Sequence, residues 1–68
     1  MTINDDIDTM RARLDAEGDA VDGAVADLAL TLHLIRCGHG KDAIKQVVGI
    51  GEHRFRQCRQ YGRFNGLI

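Results

Sequence analysis

Hydrophobic positions along this chain recur at helical spacing, and glycines divide them into blocks. Glycine stands at 18, 23, 38, 40, 49, 51, 62 and 66, and all but Gly23 fall where a helical pattern stops. The first pattern opens on Thr2-Ile3-Asn4-Asp5, which resembles a capping box, with Asp5 and Asp6 well placed at a helix N-terminus. Ile7, Met10 and Leu14 then follow at i, i+3 and i+7, one stripe of an amphipathic helix over 4–16 that ends near Gly18. Asp19 is the candidate N-cap of a second helix over 20–37. Val21, Ala24, Val25, Leu28, Leu32 and Ile35 form its apolar stripe, and Gly23 is an interior glycine or a point of close packing. Leu30 and Leu34 lie on the other side of the same helix. A helix apolar on two sides is the centre of a fold or part of a subunit interface. A short third helix over 41–48 carries Ala43, Ile44, Val47 and Val48, and a fourth over 52–61 stops at Gly62. The tail that follows should be loosely held, with Phe64, Leu67 and Ile68 able to fold back or to meet a partner.

Composition narrows the core. Hydrophobic residues make up 44% of the 68 positions, Pro and Trp are absent, and the aromatics are Phe55, Tyr61 and Phe64. The interior must therefore be aliphatic, which favours packed helices over strands. A chain of this size buries only about 60% of its unfolded surface, so it calls for efficient helix packing, a metal or a partner subunit. The expectation is an all-α domain over 1–68: an acidic N-terminal helix in 1–18, a tri-helical helix-turn-helix core in 19–63 and a tail in 64–68. No apolar run nears the roughly 20 residues of a membrane span, and the start MTINDD lacks the features of a signal peptide. A cytoplasmic protein is expected, with Cys37 and Cys58 as thiols.

Charge adds a polarity that the formal net of −1 hides. Residues 1–30 hold eight acids and two bases (net −6), and residues 31–68 hold seven bases and two acids (net +5). Four arginines fall in Arg54–Arg63, in the string RFRQCRQYGR. A basic cluster on one element beside an acidic remainder fits a small nucleic-acid-binding module.

The spacing in 41–62 is that of a helix, a three-residue turn and a second helix. Gly49 lets the chain reverse, Ile50 plugs the gap between the helices and Phe55 anchors the second on the first. At 100° per residue, Phe55 and Cys58 sit about 60° apart and define the inward face. His53, Arg56, Gln57 and Gln60 cluster opposite, as a reading edge whose Arg and Gln forks match guanine and adenine in the major groove. Arg54 and Arg59 flank that edge, and with Lys41, Lys45 and Arg63 they are candidate phosphate contacts.

The string GKDAIKQVVGIGEHRFRQCRQYGR resembles the helix-turn-helix of the factor-for-inversion-stimulation type, with its Gly-Ile turn and a Tyr-Gly near the end of the recognition helix. Extended upstream to LTLHLIRCGHG, it is also similar to the helical core of the flagellar transcriptional activator C subunit. The resemblance covers roughly residues 28–63 and implies a tri-helical DNA binder. Lys45 stands where the pattern usually has Ala, and Gly51 where it has Ser, Thr or Asn. The cysteine-rich zinc region of the flagellar subunit has no counterpart in this chain.

Function follows as an expectation: a sequence-specific DNA-binding regulator of transcription, a repressor or accessory factor, that inserts 52–61 into the major groove of double-stranded DNA. A homodimer is expected because one such helix reads few base pairs, with the acidic first helix and the Leu30/Leu34 side of the second as its surfaces. The alternative is a protein-binding inhibitor or anti-activator that docks through its acidic and apolar helix faces. Cys37, His39, His53 and Cys58 supply four possible zinc ligands, but residues five apart on a helix diverge by about 140°, and neither a metal nor another cofactor is expected. No paired carboxylates, nucleophile with a base, or phosphate loop points to catalysis, so the chain reads as a non-enzyme.

Overall fold

The computed structural model describes residues 2–17 and 22–68, which form four helices and no strands: α1 (Ile3–Ala16), α2 (Gly23–Arg36), α3 (Lys41–Val48) and α4 (Glu52–Phe64). The all-α, four-helix reading holds. Thr2 starts α1 with a full capping box: its Oγ1 accepts from the Asp5 N–H, and Asp5 Oδ2 accepts from the Thr2 N–H, each at 3.3 Å. The stripe expected on α1 turns inward, with Ile7 buried and Ile3, Met10 and Leu14 packed beside it.

The second helix begins later than its apolar pattern suggested. Asp22 caps it, with Oδ1 accepting from the Val25 N–H at 2.9 Å. The candidate cap Asp19, together with Gly18 and Val21, lies outside the described residues. Gly23 is the first helical residue, with open space where a Cβ would stand, so it is neither interior nor a packing contact.

The central constraint is the double apolar character of α2. Leu30 and Leu34 face a core shared with Ile7 of α1, Ile44 of α3 and Phe55 of α4, and both Leu34 and Ile44 are completely shut off from solvent. Leu32, on the other side, is buried against Gly62 of α4. Leu28 lines the α2–α4 groove together with Tyr61. Thus α2 is the hub that touches each of the other helices. The Leu30/Leu34 side is spent inside the monomer, which corrects its assignment as a dimer surface. The backbone of α1 packs on α2 and α3 and not on α4, which it meets only through the shared core of Ile7 and Phe55.

Two links tie α1 to its neighbours beyond apolar packing. Arg11 Nη2 donates to the Val47 carbonyl at 3.4 Å, and His39 Nε2 meets Asp6 Oδ2 at 2.6 Å. The hydrogen bond with His39 holds the nearly buried Asp6 carboxyl below its usual range. Thr31 is fully buried on α2, facing the Cys58 thiol of α4.

The turn between α3 and α4 is made by Gly49 at φ 84, a left-handed conformation that costs an L side chain energy. It aims the Gly49 and Ile50 N–H groups at the Lys45 carbonyl, at 2.9 and 3.1 Å. Ile50 then packs onto the core, and Phe55 and Cys58 face inward as the projection required. Gly51 and Gly40 cap α4 and α3 without side-chain hydrogen bonds.

Helix α4 does not stop at Gly62. It runs on to Phe64 and ends where Gly66 turns left-handed at φ 68, with the Leu67 N–H bonded to the Gly62 carbonyl at 2.8 Å. The physical reason is packing. Gly62 is buried, and a Cβ there would collide with Leu32 Cδ2 and lie 3.0 Å from Ile68 Cγ1. The glycine lets α4 lie against α2 and lets the tail return, so Ile68 rests on this contact instead of hanging loose. Among the described residues, no helix is long and apolar enough to cross a membrane.

This contact is testable. Gly62→Ala gains helix propensity of about 1 kcal/mol but overpacks a site where insertions cost about 1–3 kcal/mol. We expect a net loss, seen by thermal unfolding as a fall of several degrees in Tm. Gly23→Ala, which meets open space, should leave Tm unchanged or raise it.

Candidate nucleic-acid interface

The nine candidate contact residues lie on α3 and α4; the structure places eight of them in three groups, and His53 is exposed outside them. The first is a stripe at i, i+3 and i+7 along α4: Arg56, Arg59 and Arg63 line a shallow cleft of ≈ 290 Å³ together with Gln60. Arg59 is steadied by the Phe55 ring, with its guanidinium carbon 5.6 Å from the ring centroid. Phe55, Cys58 and Gly62 are buried on the inner face of the helix, and the stripe runs along the flank beside that face, about 100° round the axis, with Arg59 nearest to Phe55.

The second group gathers around Glu52, which the sequence reading passed over. Lys41 Nζ and Lys45 Nζ both reach Glu52 Oε1 at 3.1 Å, and Arg56 Nε donates to Oε2 at 2.9 Å. Lys45 also stands 4.0 Å from Asp42. Hydrogen bonds from Lys45 and Lys41, with Arg56 adding to them, lower the Glu52 carboxyl to about 2. Two expected phosphate contacts and one expected base reader therefore share one internal anion. The Glu52–Arg56 spacing of i, i+4 was a legible signal. The Lys41 and Lys45 contacts were not, because they depend on the angle set at Gly49.

The third group faces α2. Arg54 Nη2 donates to the Ala24 carbonyl at 2.9 Å, which turns this side chain toward the start of α2 and away from the flank where phosphates were expected. Gln57 and Gln60 line a groove of ≈ 430 Å³ with Leu28, Arg54, Cys58, Tyr61 and Phe64. Gln60 thus sits on the ridge between the groove and the arginine cleft. His53, Arg56, Gln57 and Gln60 are all exposed, as a reading edge needs. The groove is bordered by apolar side chains that the sequence reading treated as tail or helix end: Phe64 is 81% exposed and Tyr61 49%. Among the described residues, the large apolar side chains that are exposed, Val25, Tyr61, Phe64, Leu67 and Ile68, belong to the start of α2, the end of α4 or the tail.

The cysteines and histidines do other things. Burial pushes the Cys58 thiol up, which makes it a poor nucleophile, and Cys37 is an exposed free thiol with its sulfur 3.7 Å from His33 Nε2. His39 is engaged by Asp6. Among the described residues, no three His, Cys, Asp or Glu side chains come together as a metal site would require.

No family model, curated protein or solved structure matches this chain.

The low pKa of Glu52 fixes a pH dependence. Its carboxyl falls from 4.5 to about 2 on folding, so its stabilising contribution is full above the unfolded value and disappears as pH drops through the folded one. Wild type should be more stable than Glu52→Gln at neutral pH, and thermal unfolding should show the gap closing between about pH 4.5 and pH 2.

Proposed function

We propose that this protein is a DNA-binding regulator whose helix α4 enters the major groove in a helix-turn-helix arrangement with α3. The observation that carries the reading is the arginine stripe Arg56, Arg59 and Arg63, which lines one cleft with Gln60 along the flank of α4. Arginine forks serve both phosphate and guanine, and glutamine serves adenine. The acidic helix α1 lies off α4, on α2 and α3, so its repulsion of a polyanion acts from a distance. His53 and Gln57 extend the reading edge. Lys41, Lys45, Arg54 and Arg59 are nearest in role to positioning contacts, with Arg54 supporting α4 through Ala24.

The role is binding without catalysis, in transcription regulation, with repression as the simplest outcome of occupying an operator. A homodimer suits it, since two-fold sites need two recognition helices. The apolar surface of Leu28, Tyr61 and Phe64 is now the face available to a second copy. The same exposed aromatics favour a second reading, a protein-binding inhibitor that docks through the α2–α4 groove, since such surfaces mark interaction sites.

Fluorescence anisotropy with a generic 20-base-pair duplex separates the two. Three phosphate contacts give a slope of about −2.7 in log K against log salt, so affinity should fall roughly 40-fold between 50 and 200 mM salt. Arg59→Ala and Arg63→Ala should each flatten the slope by about 0.9, and Gln60→Ala should reduce the preference between sequences. Absence of binding at 50 mM salt would remove the DNA reading and leave the groove as the working surface.

A further inference from the structure

We propose that Lys41, Lys45 and Arg56 form one seat for a phosphodiester group, and that Glu52 is its internal occupant, which the DNA backbone displaces. The inference rests on the DNA-binding reading and deepens it. Sequence spacing separates these cations into two backbone contacts on α3 and one base reader on α4. The structure joins them: three cationic nitrogens lie 2.9–3.1 Å from the two oxygens of a single carboxylate.

The chemistry of the seat matches a phosphodiester. A carboxylate and a phosphodiester each present two oxygens that share one negative charge, so the same donors satisfy either. Three positive groups around one negative group leave an excess of two positive charges, and Asp42, 4.0 Å from Lys45, offsets little because it is 95% exposed. The seat is open to an incoming anion, with Arg56 68%, Lys41 44% and Glu52 39% exposed. It also stands on the same side of α4 as Arg59 and Arg63, since Arg56 lines the cleft with them. A backbone that tracks the arginine stripe reaches the seat at its N-terminal end.

Glu52 then has two effects. In the free protein it ties the start of α4 to α3, which fixes the angle between the two helices. Toward DNA it competes, because each phosphate that enters must break contacts with a carboxylate held strongly in its charged form. Non-specific affinity is thereby held down, while a site that also engages Arg59, Gln60 and Arg63 can meet the cost.

The test compares wild type with Glu52→Gln, which keeps the shape of the side chain and removes its charge. Circular dichroism establishes that the variant is folded, and Glu52→Ser, compatible with a first helical turn, replaces it if it is not. In the anisotropy experiment the variant should bind the generic duplex roughly tenfold more tightly, the size expected for releasing three exposed ion pairs. Its salt slope should be steeper by about 0.9, one further phosphate. Adding Lys41→Ala and Lys45→Ala should abolish the gain. A second arm uses inorganic phosphate alone: the Arg56 Nε–H resonance should shift in Glu52→Gln and stay fixed in wild type. If wild type binds DNA and the variant binds no better, the seat is wrong and the DNA reading stands. If phosphate shifts Arg56 in the variant while neither protein binds DNA, the seat stands as an anion site and the DNA reading falls. If phosphate moves nothing in the variant, the seat is overturned.

Discussion

Everything in this small molecule depends on α2 burying two of its sides at once. Leu30 and Leu34 close the core with Ile7, Ile44 and Phe55, and Leu32 closes the contact with Gly62. A domain of 68 residues has little apolar surface to spend, and placing one helix in contact with three others spends it efficiently. The position of α4 follows directly. Its backbone packs on α2 and α3 alone, so its direction is set by α2 through Phe55, Cys58 and Gly62, and by α3 through the Gly49 turn and the Glu52 contacts.

That dependence also separates the charges in space. The acids of α1 are carried on a helix whose backbone packs on α2 and α3, while the arginines of α4 lie around a helix whose inner face is uncharged. What the charge split alone did not reveal is that the basic part is partly compensated from within. Glu52 engages three of the cations, and Arg54 is turned to Ala24, so the open basic surface of α4 shrinks to Arg59 and Arg63 with the exposed side of Arg56, while Arg36 is exposed at the end of α2.

The helices were legible in the sequence because glycine positions and 3.6-residue spacing are local signals. The α1 capping box, the left-handed turn at Gly49 and the inward Phe55/Cys58 face all follow from residues close together in the chain. Departures occur where a residue has two physical roles. Gly62 reads as a helix stop because glycine ends helices, yet it is retained in α4 for the room it leaves Leu32. Leu30 and Leu34 read as surplus apolar surface, yet a central helix has no surplus side. The division of candidate contacts among a cleft, a carboxylate and a groove was not legible, because it depends on the angle at which α4 leaves the turn. The Phe64 and Tyr61 surface was hidden for the same reason: only the extension of α4 beyond Gly62 places both on one helix beside Leu28.

In the proposed function α4 is the working element and its arginine side the working face. The most direct measurement is a map of amide and arginine Nε–H shifts in isotope-labelled protein as a generic DNA duplex is added. Shifts concentrated on Arg56, Arg59, Gln60 and Arg63, with the amides of α1 unmoved, are the predicted result. Shifts confined to Val25, Leu28, Tyr61 and Phe64, or no shifts at low salt, would contradict it.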